Sequence, residues 1–173
     1  MGFKKEKTTK SQFSKRINQG KSVDRCPSFV EIYKVDIPGS LLSLSLPYAI
    51  VVPNPNTKIN EVVRLSLNNY RNWAYISSNV YKQMYKAKLR PYLKDVKLEG
   101  KIKFVYEVIG NDNRPFDVQG VCAVVDKFFS DAVTEYGCWR DDDYKTLAEI
   151  TYKFSHIDSS LAEKRIVVSA YSI

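Results

Sequence analysis

An α+β fold, a mixed β-sheet with two main helices packed on one face, is what the sequence predicts, with the element order β-β-α-β-α-β-β. Three observations carry that expectation. Ile102, Phe104, Tyr106 and Val108 alternate with Lys101, Lys103 and Glu107, the two-residue period of a half-buried strand. Apolar residues recur at three- and four-residue spacing in only two stretches, Trp73 to Met84 and Val121 to Val133, the period of an amphipathic helix. Strand formers fill both flanks, and strands that neighbour each other in sequence with few helices between them favour a sheet covered on one face.

Taken in order, Leu-Leu-Ser-Leu-Ser-Leu-Pro-Tyr-Ala-Ile-Val-Val over 41–52 reads as a strand, broken by Pro53-Asn-Pro-Asn-Thr, with a second strand over 59–67. Trp73, Ile76, Val80 and Met84 predict a helix from about Asn72 to Lys88, ended by Arg90-Pro91, with Lys82, Lys86 and Lys88 on its exposed side. The alternating strand stops at Gly110-Asn-Asp-Asn. Val121, Val124, Val125, Phe128, Phe129, Ala132 and Val133 then predict a second helix, opened at or just after Asp117 and closed by Gly137. Residues 147–154 and 165–170, rich in Ile, Val and Tyr, read as the last two strands.

A chain of 173 residues suits one core, so residues 26–173 are expected to form a single domain. Residues 1–25 carry eight Lys and Arg against Glu6 and Asp24, so +6 of the net +8 lies there, and the segment lacks hydrophobic periodicity. It reads as a basic flexible arm, suited either to follow nucleic-acid phosphates or simply to be solvated. The apolar runs are too short to cross a bilayer, and no apolar stretch follows the basic start, so a cytoplasmic protein without a membrane partner is expected. Cys26, Cys122 and Cys138 lack a C-x-x-C pair, which argues against a zinc finger and for reduced thiols.

Chemistry built on histidine is disfavoured, since His156 is alone and no G-x-S-x-G elbow accompanies it. Gly20-Lys21-Ser22 imitates the end of a phosphate-binding loop, but Lys15 occupies the position of its first glycine. Carboxylates instead gather between Arg114 and Tyr144: Asp117 before a helix, Asp126 and Asp131 on it, and Asp141, Asp142 and Asp143 in a run after it. Hard divalent cations held by such oxygens activate water and neutralise charge in phosphodiester hydrolysis, and a lysine such as Lys127 can pair with the scissile phosphate. At 100° per residue Gly120, Val124, Lys127 and Asp131 share one stripe, so an exposed Lys127–Asp131 salt bridge and a solvated acidic turn explain the same pattern.

Arg114, Asp117-Val-Gln-Gly120, Lys127, Asp131-Ala-Val, Gly137 and Asp141-Asp142 stand in the order of a motif set of phage and prophage proteins, and Ser66-Leu-Asn68 matches its earlier Ser-x-Asn element. On these residues the chain resembles the RusA-like Holliday-junction resolvases over roughly residues 46–170. The resemblance implies a metal-dependent endodeoxyribonuclease that cleaves branched or four-way-junction DNA as a homodimer, with Mg²⁺ or Mn²⁺ as cofactor. It assigns Asp117 and Asp142 to the metal, Asp141 as a companion of Asp142, and Lys127 to catalysis. Arg114, Arg71, Lys82, Lys86 and Lys88 would meet DNA phosphates. Gln119 and Gly120 replace the Asp and Asn usual in the motif, and about one extra helical turn precedes Lys127. Asp126 or Asp131 would then have to complete the ligand set, although nine helical residues put Asp126 about 180° from Asp117. The same two replacements motivate the alternative of a catalytically impaired, structure-specific DNA-binding relative.

Overall fold

Leu-Ser-Leu-Ser-Leu-Pro alternates large apolar and small polar residues, which as a strand places three leucines on one face and two serines on the other. In a computed structural model of the protein, describing residues 30–54, 59–140 and 143–173, this stretch is β2 (Leu42–Pro47), preceded at the sheet edge by the short β1 (Tyr33–Lys34). The single strand expected over 41–52 is in fact two. The chain turns at Tyr48, and β3 (Ala49–Pro53) pairs antiparallel with β4 (Asn60–Arg64) as a separate two-stranded ribbon. Pro47 has no N–H to extend the ladder of β2, so the break falls where a backbone donor runs out. The expected arm, residues 1–25, lies outside the described residues.

The first long helix differs from expectation in its start, its end and its buried face. A short α1 (Leu67–Asn72) comes first, opened by Ser66, whose hydroxyl accepts the Asn69 N–H at 3.3 Å. Then α2 (Tyr75–Leu93) runs through Pro91 instead of stopping before it. Pro91 lies on the exposed side of the last turn, while Leu89 and Leu93 are fully buried, so packing holds the turn that the ring would otherwise weaken. Ile76 and Val80 face solvent, at 76% and 46% exposure, because the larger side chains of Tyr81, Tyr85, Leu89 and Tyr92 form a competing stripe that the core takes instead.

β5 (Ile102–Gly110) and α3 (Val118–Glu135) follow as the periodicities require, and β6 (Leu147–Ile157) and β7 (Arg165–Ser172) complete an α+β mixed sheet. Its strand order is β1-β2-β7-β5-β6, antiparallel throughout except for the parallel pair β5 and β6. Parallel neighbours need a crossover, and α3 supplies it. The core forms where Val121, Val125, Phe128 and Phe129 of α3 meet Leu44, Phe104, Tyr106, Ile166 and Val168 of the sheet. Gly137, at φ 66°, closes α3, and the Cys138 N–H reaches back to the Val133 carbonyl at 2.9 Å. Among the described residues, no helix is long and apolar enough to cross a membrane.

Candidate nucleic-acid interface

Since β5 and β6 run parallel, their C-terminal ends open on the same side, with Gly110 level with Ile157, and α3 begins there. In sheets containing parallel strands this is the end where loops converge on ligands. Two loops meet here. The 111–117 loop and the 158–164 turn are tied by the Asp158 N–H on the Gly110 carbonyl at 2.8 Å and by Asn111 Nδ2 on the Ala162 carbonyl at 3.2 Å. Gly110 permits the approach, since a Cβ there would lie 2.5 Å from Ile157 Cδ1. Asp112 folds its own loop by accepting the Arg114 N–H at 3.0 Å and Arg114 Nε at 2.9 Å, and that hydrogen bond from Arg114 holds its carboxyl below the usual carboxylate range. Arg114 remains largely exposed.

Asp117 is the N-cap residue of α3 and is exposed, with no capping hydrogen bond from its side chain. Its Oδ2 leans over the first turn, 2.6 Å from where a Cβ of residue 120 would sit, so Gly120 leaves room for the carboxylate. Lys127 is exposed on α3, ten residues on, which at 1.5 Å per residue is about 15 Å along the axis. Asp141 and Asp142 lie outside the described residues. Their neighbour Asp143 caps a turn at the other end of the sheet, accepting the Lys145 N–H at 2.9 Å, and the Thr146 carbonyl there accepts from Ile102 at the start of β5. The 18 residues of α3, about 27 Å long, separate that end from Asp117.

Asp126 and Asp131 are engaged elsewhere. Asp131 meets Lys82 of α2 at 3.2 Å, not the Lys127 on its own helix, and Lys86 pairs with Glu135 one turn further along both helices. Lys86 is 4% exposed, a correction to its expected place on the open face of α2 beside Lys82 and Lys88. The corrected face follows from the tyrosine stripe, which rotates Lys86 toward α3. Lys88 Nζ reaches the Val30 carbonyl at 3.3 Å, whereas Arg71 is exposed in the last turn of α1.

Asp126 is buried between α3 and the sheet. Its Oδ1 accepts the Tyr106 hydroxyl at 2.6 Å and the Ser130 hydroxyl at 3.0 Å, and its Oδ2 accepts the Tyr152 hydroxyl at 2.6 Å. Burial raises both phenols above their ordinary range and the carboxylate adds to it, so they remain protonated donors. The Cys122 thiol, one turn before Asp126, is pushed up to about 12 by burial and then by Asp126 and Asp117, which keeps it an unreactive thiol. A carboxylate so enclosed is a structural acceptor and is not presented to a cation at the surface.

Among the described residues no three Asp, Glu, His or Cys side chains gather closely enough to hold a metal ion. Of the implied ligands that are described, Asp117, Asp126 and Asp131, Asp117 alone stands exposed at the loop end, so the described residues by themselves do not fit a complete Mg²⁺ or Mn²⁺ site. His156 sits exposed near the end of β6, its Nδ1 3.0 Å from the adjacent Ser155 hydroxyl. What periodicity could not show is a cluster of cations: Arg64 from the end of β4 and Lys164 from the 158–164 turn line one cavity with Arg114. They are 50 residues or more apart along the chain, and only the tertiary fold joins them. No protein-family model matches this chain, and no curated protein matches it in sequence.

Proposed function

We propose that this protein binds branched DNA, four-way junctions included, as a structure-specific, catalytically impaired relative of the resolvases it resembles. The convergence of Arg64, Arg114 and Lys164 at the shared C-terminal end of β5 and β6 is the observation that carries this reading. Such cations neutralise phosphates without reading base edges, so recognition is of backbone shape. Arg71 and Lys127 are further exposed cations that could meet phosphates elsewhere on the strand. A homodimer would match the two-fold symmetry of a junction, and the setting is the cytoplasm of a bacterial host, with a phage or prophage as source.

A second reading, Mg²⁺- or Mn²⁺-dependent endonucleolytic cleavage, is favoured by Asp117, an exposed carboxylate at the positive end of α3, three residues after Arg114 in the chain. Its metal would need carboxylates from more than the described part of one chain.

Incubation with a labelled four-way junction, with and without Mg²⁺, separates the two. Retarded but intact junction in both conditions, with the Asp117→Asn variant binding within about twofold of the parent, is the expected result. Nicking that needs the metal and disappears in Asp117→Asn while binding persists would establish the enzyme. Failure to bind the junction even at low salt would remove both readings.

A further inference from the structure

Resting on the DNA-binding reading and deepening it, we infer that the cavity between Arg64, Arg114 and Lys164 is a phosphate subsite that seats one nucleotide unit of the bound strand. The cavity holds about 500 Å³, within the roughly 300–1,000 Å³ of small-molecule sites, enough for a phosphate with its attached sugar. Three separate elements build it: β4 ends in Arg64, the 111–117 loop supplies Asn111 and Arg114, and the 158–164 turn supplies Lys164.

Its chemistry is one-sided. Tyr48, Arg64, Asn111, Arg114 and Lys164 all bring donor groups, and Glu163 is the one carboxylate in the lining. Both Glu163 oxygens are already taken by Arg64 Nε, at 3.0 and 3.2 Å. Lys164 is paired with no carboxylate among the described residues. Its ammonium lies 4.9 Å over the Phe116 ring and 3.4 Å from Asn111 Oδ1, and the residue is half-buried in the cavity lining. Arg64 and Arg114 line the same cavity. An all-acceptor anion seated among these groups gives the Lys164 ammonium an acidic partner and adds an acceptor for the guanidinium N–H groups that Glu163 and Asp112 leave over, which a neutral or cationic ligand does not.

Two sources present that chemistry, a phosphodiester inside a continuous strand and a phosphate at a 5′ end. The test uses the full chain and three probes: inorganic pyrophosphate followed by amide chemical shifts, a labelled four-way junction, and labelled duplexes ending in a 5′-phosphate or a 5′-hydroxyl. Pyrophosphate is expected to shift the amides of Asn111, Arg114 and Lys164. Lys164→Gln should lose that response, weaken junction binding roughly tenfold and lower the slope of log affinity against log salt by about 1. Glu163→Gln, which removes the one competing carboxylate, should tighten binding about threefold, so the two variants move in opposite directions even if one is less stable. Equal response to both duplexes assigns the subsite to the internal backbone, and a response confined to the phosphorylated one assigns it to strand ends. If the parent binds junctions in a salt-dependent way but both variants match it, the subsite is wrong and the DNA-binding reading survives. If the parent binds neither junction nor pyrophosphate, both fall.

Discussion

Asp126→Ala is expected to lower the stability of the fold by about 3 kcal/mol, read as a fall in the urea midpoint at unchanged slope. The carboxylate sits at 8% exposure and accepts three hydroxyls, from Tyr106 on β5, Tyr152 on β6 and Ser130 on its own helix. It therefore ties α3 to both parallel strands that α3 connects. Removing it strands the Tyr106 hydroxyl in the core, where the ring is fully buried, and an unsatisfied buried donor costs more than a made hydrogen bond gains. Regaining the solvation cost of the buried charge offsets part of that loss, which keeps the figure below the sum of three charge-assisted bonds. Asp126→Asn keeps one acceptor oxygen and the same shape, so it should cost about half as much. Combining Asp126→Ala with Tyr106→Phe should cost at least 1 kcal/mol less than the two single losses added together, because the second change removes the stranded hydroxyl. A loss under 0.5 kcal/mol for Asp126→Ala would mean that its carboxylate is not enclosed as described.

Phe104→Ala should cost about 3–5 kcal/mol and lower Tm accordingly. Phe104 is the third residue of β5 and has no exposure, and three aromatic rings pack against it: Phe129 at 5.5 Å, Trp139 at 5.1 Å and Tyr106 at 6.1 Å between centroids. Those neighbours come from α3, the turn after it and β5 itself, so one truncation loosens the helix, its closing turn and the strand together. Rings anchored by their own hydrogen bonds, Tyr106 to Asp126 and Trp139 Nε1 to the Thr134 hydroxyl at 2.7 Å, cannot collapse freely into the space left. The cavity term therefore adds to the lost burial. Phe104→Leu, which keeps most of the volume, should lose less than half as much. Calorimetric melting of the two variants measures both.

These two positions also show what a sequence can and cannot disclose. Phe104 was legible because the alternation of Ile102, Phe104, Tyr106 and Val108 with charged neighbours fixes which side of β5 faces the core. The same is true of α3, whose apolar period, Asp117 start and Gly137 stop all agree. Asp126 left only a faint signal. It lies four residues after Cys122 and three before Phe129, on the apolar side of its helix, but its tyrosine partners come from distant strands. The turn at Tyr48 was hidden because strand formers continue on both sides of Pro47-Tyr48, and a proline is also compatible with the edge of one longer strand. On α2 two stripes satisfied helical spacing, and side-chain volume, not spacing, decided between them. Within the proposed site, Arg114 was singled out from the sequence as a DNA contact, whereas Arg64 and Lys164 join it in one cavity only through the tertiary fold.

Both ends of the sheet carry cations, and the proposed DNA contact lies at only one of them. One carries Arg114, Asp117 and Lys164, and the other carries Lys97, Arg140 and the turn at Asp143. The most direct measurement is amide chemical-shift mapping of the full chain during titration with an unlabelled four-way junction. Shifts concentrated in residues 111–117 and 158–164 are the predicted result. Shifts confined to residues 97–100 and 143–146, or none at low salt, would contradict the proposed interface.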